Sequence, residues 1–370
     1  MKLAIVNTLA VPSGNASVNR FLGYGKELVK LGAEVNILSS ASFEDSVMDG
    51  ISIYSCGKNT KLIRALLNIL GKIKSGGYDA IIVVSNSLLL IYPLWLICKI
   101  HNIRFLQEKS EFPFVLRKKG MLARIYASLY VNTTYKLFDG IIVMTKPLLA
   151  YLSSKVSKKC SLFEVPMTVD TDRFSIDRAE TEYGDYIAYC GDMAGNKDGV
   201  INLIEAFDKA SSIIKDVNLL LIGGSSNKND LEKVISLVSS KSNKRIILFG
   251  KATRDQIPAL LKNASVLALA RPSSLQSTGG FPTKLGEYLA TGNPVIVTSV
   301  GDIPQYLNET NSFLVPPDDI EKFSEAIISV YGDMAHARIV GERGKDLANT
   351  VFSTKFQSRR LFAYLESLCE

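Results

Sequence analysis

Short apolar runs alternate with amphipathic stretches through residues 1–165. Runs of about four to eight residues rich in Val, Ile and Leu predict buried strands, and apolar positions three or four apart predict helices. The predicted strands are Lys2–Asn7, Ala33–Ser39, Ile51–Tyr54, Tyr78–Ser85, Ile103–Gln107, Gly140–Met144 and Ser161–Val165. The predicted helices are Val18–Leu31, Leu62–Lys74, Leu88–Ile100, Leu122–Leu137 and Pro147–Ser154. Strands that alternate with helices in this way indicate a parallel sheet.

A polar segment without periodicity, residues 166–185, interrupts this alternation and is interpreted as a linker. The alternation then resumes. The predicted strands are Tyr186–Cys190, Asn218–Ile222, Arg245–Phe249, Val266–Ala270 and Val295–Thr298. The predicted helices are Gly199–Ile213, Asp230–Ser240, Asp255–Lys262, Thr283–Ala290, Ile320–Tyr331, His336–Thr350 and Ser353–Ser367. We therefore predict two Rossmann-like, doubly wound α/β domains that face a cleft, at residues 1–166 and 167–352, with residues 353–370 forming a helix that packs back on the first domain.

The stretch from Gly279 to Thr298 has the strongest chemical signal in the chain. Pro282 suits the first position of a helix, and the backbone amides of Thr283 and Lys284 then lack intrahelical acceptors at the positive end of the helix dipole, where a phosphate binds well. Glu287 lies in the second turn and leans back toward that end, so its carboxylate can accept hydrogen bonds from a sugar diol. The pairing suggests a nucleotide, although a helix dipole favours an early Glu without any ligand.

Three predicted loops of the second domain follow strands and so lie at the carboxyl edge of the sheet, where such folds bind ligands. The loop Gly191–Gly199 contains Lys197, which could neutralise a phosphate or simply be solvated. Gly223 and Gly224 let backbone approach a nucleotide closely. The third loop, from Arg271 to Thr278, leads into the predicted helix.

Composition indicates a globular protein, because 47% of the 370 residues are hydrophobic and 21% are charged. The five cysteines are scattered without a Cys-x-x-Cys pair, which predicts a reducing cytosol and neither a disulfide framework nor a zinc site. The start of the chain enters a strand directly and lacks the form of a signal peptide. The apolar run Ile81–Ile100 is interrupted by polar residues and Pro93, so we predict a strand, a loop and a helix rather than a membrane span.

The net charge of +7 is unevenly distributed. Residues 1–170 contain 21 Lys and Arg against 11 Asp and Glu, whereas the remainder contains 22 against 25. A basic first half suits an anionic acceptor or an anionic membrane surface, or is only a solvated surface. Within it, Phe112–Phe138 is basic and amphipathic, which fits either membrane contact or packing on its own sheet. Only net charge favours nucleic acid, so no nucleic-acid partner is expected.

The second domain resembles the retaining family-4 glycosyltransferases, which have the GT-B fold. The resemblance rests on the segments Lys197-Asp198-Gly199, Asn202–Phe207, Leu221–Gly224, Gly280-Phe281-Pro282 and Glu287–Val295, and on Val165–Phe174 at the linker. It implies transfer of a sugar, of the hexosyl type, from a nucleotide diphosphate-sugar to an acceptor hydroxyl with retention of configuration. It also implies the following donor-binding set: Gly191, Lys197, Gly223, Arg271, Gly280, Phe281, Pro282, Thr283, Lys284 and Glu287.

The same resemblance places loops of the first domain at the acceptor, including Ser13, Gly14 and Asn15. We predict Glu108 and Glu111 as polar groups near the reacting centre, and Lys197 as the charge that stabilises the leaving diphosphate. Two positions depart from the family pattern: Gly279 replaces a carboxylate, and Asp192 replaces an Arg. Gln276, Thr278 and Arg271 are candidate substitutes.

No cofactor or metal is expected beside the nucleotide sugar. Asp170-Thr171-Asp172 has the spacing of a metal motif but lies in the linker, and His101 and His336 have no partner at ligand or triad spacing. The preferred acceptor is a lipid-linked saccharide of polysaccharide biosynthesis, which places the protein in the cytoplasm, at the inner face of the membrane where it meets lipid. Two alternatives remain open, a nucleotide-sugar epimerase of the same fold and a sugar-nucleotide-binding protein without catalysis. A nicotinamide dehydrogenase is disfavoured because Thr8–Val18 has no Gly-x-Gly-x-x-Gly.

Overall fold

A computed structural model describes residues 1–58, 62–113, 120–193, 198–225, 227–241 and 244–370. The chain divides into two compact units. The first comprises Met1–Thr168 together with Thr354–Glu370, and the second comprises Val169–Ser353. Among the described residues, no helix has the length and apolar character that a membrane span requires.

The first unit contains an eight-stranded sheet in the order β3-β4-β2-β1-β5-β6-β7-β8. Its strands are β1 (Lys2–Asn7), β2 (Glu34–Ser39), β3 (Ser46–Met48), β4 (Ile51–Ser55), β5 (Ala80–Val84), β6 (Arg104–Lys109), β7 (Gly140–Val143) and β8 (Ser161–Glu164). Its helices before the linker are α1 (Ala16–Lys30), α2 (Leu62–Gly76), α3 (Leu88–Ile100), α4 (Met121–Thr133) and α5 (Lys146–Ser153). The pairings are parallel except that β3 runs antiparallel to β4 at the edge.

Side chains of β1 alternate between two apolar clusters, one on each face of this sheet. Leu3 and Ile5 belong to one cluster, and Ala4 and Val6 to the other. Burial on both faces is what a parallel sheet with helices on both sides requires, and it explains why the strands appear as continuous apolar runs. The unit is therefore doubly wound.

The second unit contains a six-stranded parallel sheet in the order β11-β10-β9-β12-β13-β14, which is the Rossmann order 3-2-1-4-5-6. Its strands are β9 (Asp185–Asp192), β10 (Val217–Gly224), β11 (Ile246–Gly250), β12 (Val266–Leu269), β13 (Val295–Thr298) and β14 (Phe313–Val315). Its helices are α6 (Val200–Ala210), α7 (Lys228–Ser240), α8 (Gln256–Asn263), α9 (Leu275–Gly279), α10 (Thr283–Ala290), α11 (Ile303–Tyr306), α12 (Ile320–Gly332) and α13 (Met334–Thr350).

The last helix, α14 (Thr354–Cys369), belongs to the first unit and packs against α1. Leu361 and Leu365 enter the cluster that contains Leu3 and Ile5. The ring of Tyr364 also stacks on the ring of Phe163, with 4.3 Å between the ring centroids. The first unit is thus assembled from two separate parts of the chain.

Several short elements differ from the prediction. The structure adds β3, β14, α11 and α9, and α9 occupies part of the predicted loop from Arg271 to Thr278. These elements have three to five residues, too few for a hydrophobic period to be recognised. A reciprocal pair of hydrogen bonds between Ser274 and Ser277 caps α9. Pro282, predicted as the first helical residue of α10, instead precedes it in an extended conformation.

A buried ion pair in the first unit holds the start of the linker. Arg20 on α1 and Glu108 on β6 lie 2.6 Å apart, and their side chains are 3% and 5% exposed. The other two nitrogens of the Arg20 guanidinium donate to the carbonyl oxygens of Val165 and Pro166 at 2.6 and 2.7 Å. The carboxylate of Glu108 is therefore engaged in structure, a role that the sequence did not predict, and its proposed catalytic role stays a prediction.

Replacing Glu108 with Leu is expected to lower the free energy of unfolding of the first unit by about 3–5 kcal/mol, because Arg20 then remains charged, buried and without its counterion. Urea unfolding followed by the fluorescence of Trp95, the one tryptophan of the chain, measures this because Trp95 lies on α3 of the same unit. Glu34→Leu is the matched control, because Glu34 forms an exposed ion pair with Lys2 and is expected to contribute less than about 1 kcal/mol. Equal effects of the two changes would contradict this assignment.

Candidate functional site

The carboxyl edge of the second sheet is where the predicted donor-binding residues gather. Strands β9 and β10 end side by side, with Gly223 in register with Gly191 and Gly224 in register with Asp192. Strand order reverses between β9 and β12, and ligands bind at such a switch point in open α/β sheets. Gly199, in the segment after β9, has φ +71°, and a Cβ there would lie 1.7 Å from the carbonyl oxygen of Ala270 after β12.

Two of the predicted glycines are required by close contacts at this edge. Gly223 has φ +140°, and a Cβ on it would lie 1.9 Å from the backbone oxygen of Gly191. A Cβ on Gly191 would lie 1.9 Å from Nζ of Lys284 and 2.9 Å from the hydroxyl of Tyr189. The absence of side chains at these positions therefore lets the two strand ends and α10 approach each other closely.

Helix α10 is fixed to the end of β9 by two side chains one turn apart. The hydroxyl of Tyr288 accepts a hydrogen bond from the backbone N–H of Cys190 at 2.7 Å. Nζ of Lys284 lies 2.5 Å from a carboxylate oxygen of Asp198 and 3.2 Å from the hydroxyl of Tyr189. The sequence prediction used only the backbone amide of Lys284, whereas the structure gives its side chain a positioning role.

The first turn of α10 has no side-chain cap among the described residues. Pro282 precedes the helix with φ −73° and ψ 111°, and its carbonyl oxygen accepts from the N–H of Leu285. The first amides of a helix have no intrahelical acceptor, and they form the positive end of its dipole. This end can therefore bind an anion beside the glycines of β9 and β10.

Glu287 lies in the second turn of α10 with 28% of its side chain exposed. Arg173, in the short 3₁₀ helix Thr171–Phe174, places one guanidinium nitrogen 3.2 Å from its carboxylate. A second nitrogen of Arg173 donates to the carbonyl oxygen of Arg254 at 2.7 Å. Burial raises the pKa of Glu287 above its usual value, and the positive charge of Arg173 opposes that shift. The carboxylate is thus oriented while part of it stays accessible.

The other predicted donor residues occupy different environments. Phe281 is a packing residue, with its ring centroid 5.8 Å from that of Tyr306 and 5.6 Å from that of Phe352. Arg271 is buried, and its carbonyl oxygen accepts a hydrogen bond from the hydroxyl of Thr298 at 2.6 Å. Gly280 ends α9, where its N–H donates to the carbonyl oxygen of Gln276. Lys197 lies outside the described residues.

The predicted acceptor-side residues belong to the first unit. Asn15 caps α1 by accepting from the backbone N–H of Ser17 at 2.9 Å. The hydroxyl of Ser13 is buried, and no described residue forms a hydrogen bond with it. Gly14 has open space around the position of a Cβ. Glu111 follows β6 and is half-buried. A structural role is thus evident for Asn15, whereas the described residues show none for the hydroxyl of Ser13.

Lys109, at the end of β6, is the centre of a buried polar cluster in the first unit. Its ammonium group donates to the side-chain oxygen of Asn86 and lies 4.8 Å from the ring centroid of Tyr130. The hydroxyl of Tyr130 accepts from the side-chain amide of Gln107 at 2.8 Å. Burial lowers the pKa of Lys109 to about 7, and the negative charge of Glu111 opposes this shift. No single sequence motif marks this cluster, because its members come from three elements.

No metal-binding cluster of three or more His, Cys, Asp or Glu side chains occurs in the part of the chain that the structure describes. Asp170 and Asp172, the predicted Asp-x-Asp, flank the start of the 3₁₀ helix that carries Arg173.

Comparison with known families finds a match to part of the chain. Residues 184–333 match the family described as "Glycosyl transferases group 1". The match lies within the second unit. The matched residues include three of the site residues, Gly191, Gly223 and Glu287. Arg173 lies before the first matched residue.

Two curated relatives are similar to this chain over part of their length. A GDP-mannose-dependent monoacylated alpha-(1-6)-phosphatidylinositol monomannoside mannosyltransferase of Corynebacterium glutamicum is 23% identical over 258 residues, covering 68% of this chain and 64% of the relative. A UDP-Gal:alpha-D-GlcNAc-diphosphoundecaprenol alpha-1,3-galactosyltransferase of Escherichia coli is 32% identical over 124 residues, covering 33% of this chain and 30% of the relative. The chain therefore spans less than two thirds of either relative.

Solved structures match over nearly the whole chain. A glycosyltransferase from Rickettsia africae has a TM-score of 0.79 at 18% identity, covering 100% of this chain and 99% of that one. Anabaena HepE in complex with UDP-glucose has a TM-score of 0.77 at 13% identity, covering 99% and 100%. Sucrose-phosphate synthase from Thermosynechococcus elongatus has a TM-score of 0.76 at 17% identity, covering 99% and 98%. The predicted GT-B fold, with two α/β domains that are each built on a parallel sheet, is confirmed.

Replacing Gly223 with Ala is expected to destabilise the second unit by at least about 2 kcal/mol, because the new Cβ meets backbone and the residue must keep a positive φ. Gly224→Ala is the matched control, since its Cβ meets only the flexible side chain of Lys251, at 3.1 Å. Thermal unfolding monitored by circular dichroism compares the two variants. If Gly224→Ala costs as much as Gly223→Ala, the close approach at Gly223 is not the cause.

The lowered pKa of Lys109 predicts how stability depends on pH. From about pH 7 toward the unfolded-state pKa of 10.5, the unfolded chain keeps a proton on Lys109 that the folded protein has lost. Stability should therefore rise with pH in this range, by at most about 1.4 kcal/mol per pH unit. The difference in unfolding free energy between wild type and Lys109→Met isolates this contribution, and Lys99→Met is the exposed control. A difference that does not change between pH 7 and pH 9 would contradict the prediction.

Proposed function

We propose that the protein is a glycosyltransferase that moves a hexosyl group from a nucleotide diphosphate-sugar to an acceptor hydroxyl, with retention of configuration. One observation carries the proposal: the first turn of α10, which no described side chain caps, the partly exposed carboxylate of Glu287 and the glycines of β9 and β10 lie together in the segment that matches the family of group 1 glycosyl transferases.

The donor would be held through two groups, its diphosphate and its ribose. The diphosphate would lie at the first turn of α10, where the amides of Thr283 and Lys284 and the helix dipole stabilise negative charge. The carboxylate of Glu287, oriented by Arg173, would accept hydrogen bonds from the ribose hydroxyls. Gly191 and Gly223 let the ends of β9 and β10 pack closely against each other and against α10, so that backbone would lie beside the nucleotide.

The chemical step breaks the bond between the anomeric carbon and the diphosphate oxygen, and it forms a bond from that carbon to the acceptor oxygen, whose proton is released with the nucleoside diphosphate. Negative charge therefore grows on the leaving group. Backbone amides that already point at the diphosphate stabilise this charge without reorganising, which is the main electrostatic contribution expected at such a site. Lys197 would add a positive charge, as the sequence predicts. Lys284 has a different part in the proposal, because its ammonium group is held by Asp198 and fixes α10 in place.

A lipid-linked saccharide is the acceptor that we propose. The two curated relatives are named for acceptors of this kind, a phosphatidylinositol mannoside and a diphosphoundecaprenol-linked sugar. The basic first half of the chain suits the phosphate groups of such acceptors. With this acceptor, the protein would act in polysaccharide biosynthesis in the cytoplasm, at the inner face of the membrane, and would need neither metal nor cofactor.

The donor is proposed to be a UDP- or GDP-hexose. Anabaena HepE binds UDP-glucose, and the two relatives are named for GDP-mannose and UDP-galactose. Gly279 replaces a carboxylate that would contact the hydroxyls of the donor sugar, so this replacement affects binding of the sugar and not of the nucleotide. Nucleotide affinity is therefore the sharper test of this site.

Replacing Glu287 with Gln is expected to weaken binding of the cognate nucleotide by roughly 10- to 100-fold, because the negative charge and one of the two acceptor oxygens are lost. Isothermal titration with UDP, GDP and ADP, and with their hexose derivatives, identifies the donor and measures this loss. Glu342→Gln, an exposed glutamate on α13, is the matched control. Thermal unfolding of each variant confirms that the fold is retained.

Unchanged nucleotide affinity in Glu287→Gln would show that the site is assigned wrongly. Turnover then separates the alternatives. Sugar transfer to a lipid-linked acceptor supports the proposal. Interconversion of the nucleotide sugar without acceptor would instead indicate an epimerase, and tight binding without turnover over an acceptor panel would indicate a non-catalytic binding protein.

A further inference from the structure

Three neighbouring helices of the first unit expose large apolar side chains, which we call the apolar face. The residues are Leu62, Ile63 and Leu67 on α2; Leu89, Leu96 and Ile100 on α3; and Met121, Leu122, Ile125 and Leu129 on α4. Helix α2 packs against α3, and the hydroxyl of Tyr92 on α3 donates to the hydroxyl of Thr133 on α4 at 2.6 Å. Apolar residues scattered singly on a surface need no explanation, but a set on three adjacent helices does.

Helix α4 shows most clearly that this exposure is organised. Met121, Leu122, Ile125 and Leu129 share one side of the helix, and the first two are 79% and 83% exposed. The residues that α4 buries are Ala127 and Tyr130. A helix on a globular surface normally turns its apolar stripe toward the core, whereas α4 turns most of it toward solvent. Packing on its own sheet, one of the two predicted roles of this segment, therefore does not account for these four side chains.

Charge on the same helices has a single sign. Helices α2, α3 and α4 contain five basic residues, Arg64, Lys72, Lys74, Lys99 and Arg124, and their sequences contain no Asp or Glu. Arg117, Lys118 and Lys119, the predicted basic run before α4, lie outside the described residues. Exposed apolar side chains among basic residues match the interface of an anionic bilayer, where acyl chains lie beneath phosphate groups.

We propose that the apolar face docks the protein on an anionic membrane surface. A second copy of the chain is a poorer occupant, because a two-fold interface would place the same basic helices against each other. An anionic bilayer instead supplies both the apolar environment and the opposite charge. This docking does not depend on the proposed transferase activity.

The apolar face is joined to the carboxyl edge of the first sheet. The hydroxyl of Tyr126 on α4 donates to the carbonyl oxygen of Asn86, which follows β5, and accepts from the N–H of Leu88. Tyr130, one turn later, bonds the side chain of the same Asn86 and that of Gln107 on β6. Membrane contact at α4 would therefore bring this edge, with Lys109 and its cluster, near the lipid surface where a lipid-linked acceptor is presented.

The full-length protein can be tested by flotation with vesicles of phosphatidylcholine alone and of phosphatidylcholine mixed with phosphatidylglycerol. Binding is expected on the mixed vesicles and should weaken with salt, because part of the attraction is electrostatic. Trp95, the sole tryptophan and half-buried on α3, provides an internal probe. Its emission should shift to the blue on binding, and brominated lipids should quench it.

The double variant Leu122→Ser/Ile125→Ser is expected to lose at least about tenfold in vesicle affinity, because two exposed apolar side chains no longer insert. Ile213→Ser/Ile339→Ser, which changes two exposed isoleucines of the second unit, is the matched control and should bind like wild type. Arg124→Glu should weaken binding to the anionic vesicles, whereas Lys228→Glu on α7 should not.

Absence of binding to both vesicle types would overturn the proposal, as would equal affinity of Leu122→Ser/Ile125→Ser and its control. A concentration-dependent dimer, seen by light scattering and abolished by the same double variant, would also overturn it in favour of a second copy. Nucleotide affinity should stay unchanged in the α4 variants, so failure here is distinguishable from failure of the nucleotide site.

Discussion

The attachment of α10 to the end of β9 is the interaction on which the candidate site depends. Tyr288 bonds the backbone of Cys190, while Lys284 joins Asp198 and Tyr189, so one helical turn carries two independent anchors. An anion-binding helix end is useful only if it is held still, because charge stabilisation by fixed dipoles requires that they be oriented beforehand. The Lys284–Asp198 pair supplies that rigidity, and the carboxylate of Asp198 balances the charge of the ammonium group.

The close packing of α10 against β9 also explains why Gly191 and Gly223 occupy the strand ends. Nζ of Lys284 occupies the space that a side chain on Gly191 would need, and the backbone of Gly191 in turn excludes a side chain on Gly223. A chain of close contacts therefore runs from α10 through β9 to β10. Substitution anywhere along it would displace the helix whose position matters most.

Much of this architecture could be predicted because the local signals are strong. Helix α10 ends at Ala290 and strand β13 spans Val295–Thr298, as the sequence predicts, since Gly292 and Pro294 lie between them and stop the helix. The parallel sheets follow from apolar runs that are buried on both faces. The pairing of Glu287 with Arg173 could not be foreseen, because 114 residues separate them and nothing local marks either as a partner. Periodicity also shows that α4 is amphipathic but not which side faces solvent, which only the tertiary structure reveals.

The return of α14 to the first unit has a consequence for the order in which the protein is made. The second unit is continuous from Val169 to Ser353, so all of its strands have been synthesised before α14 begins at Thr354. Synthesis of the first unit starts earlier, but one of its two apolar clusters is complete only after Leu361 and Leu365 have been synthesised. During translation the second unit is therefore the first to have all the residues of its core, and the core of the amino-terminal unit is completed last.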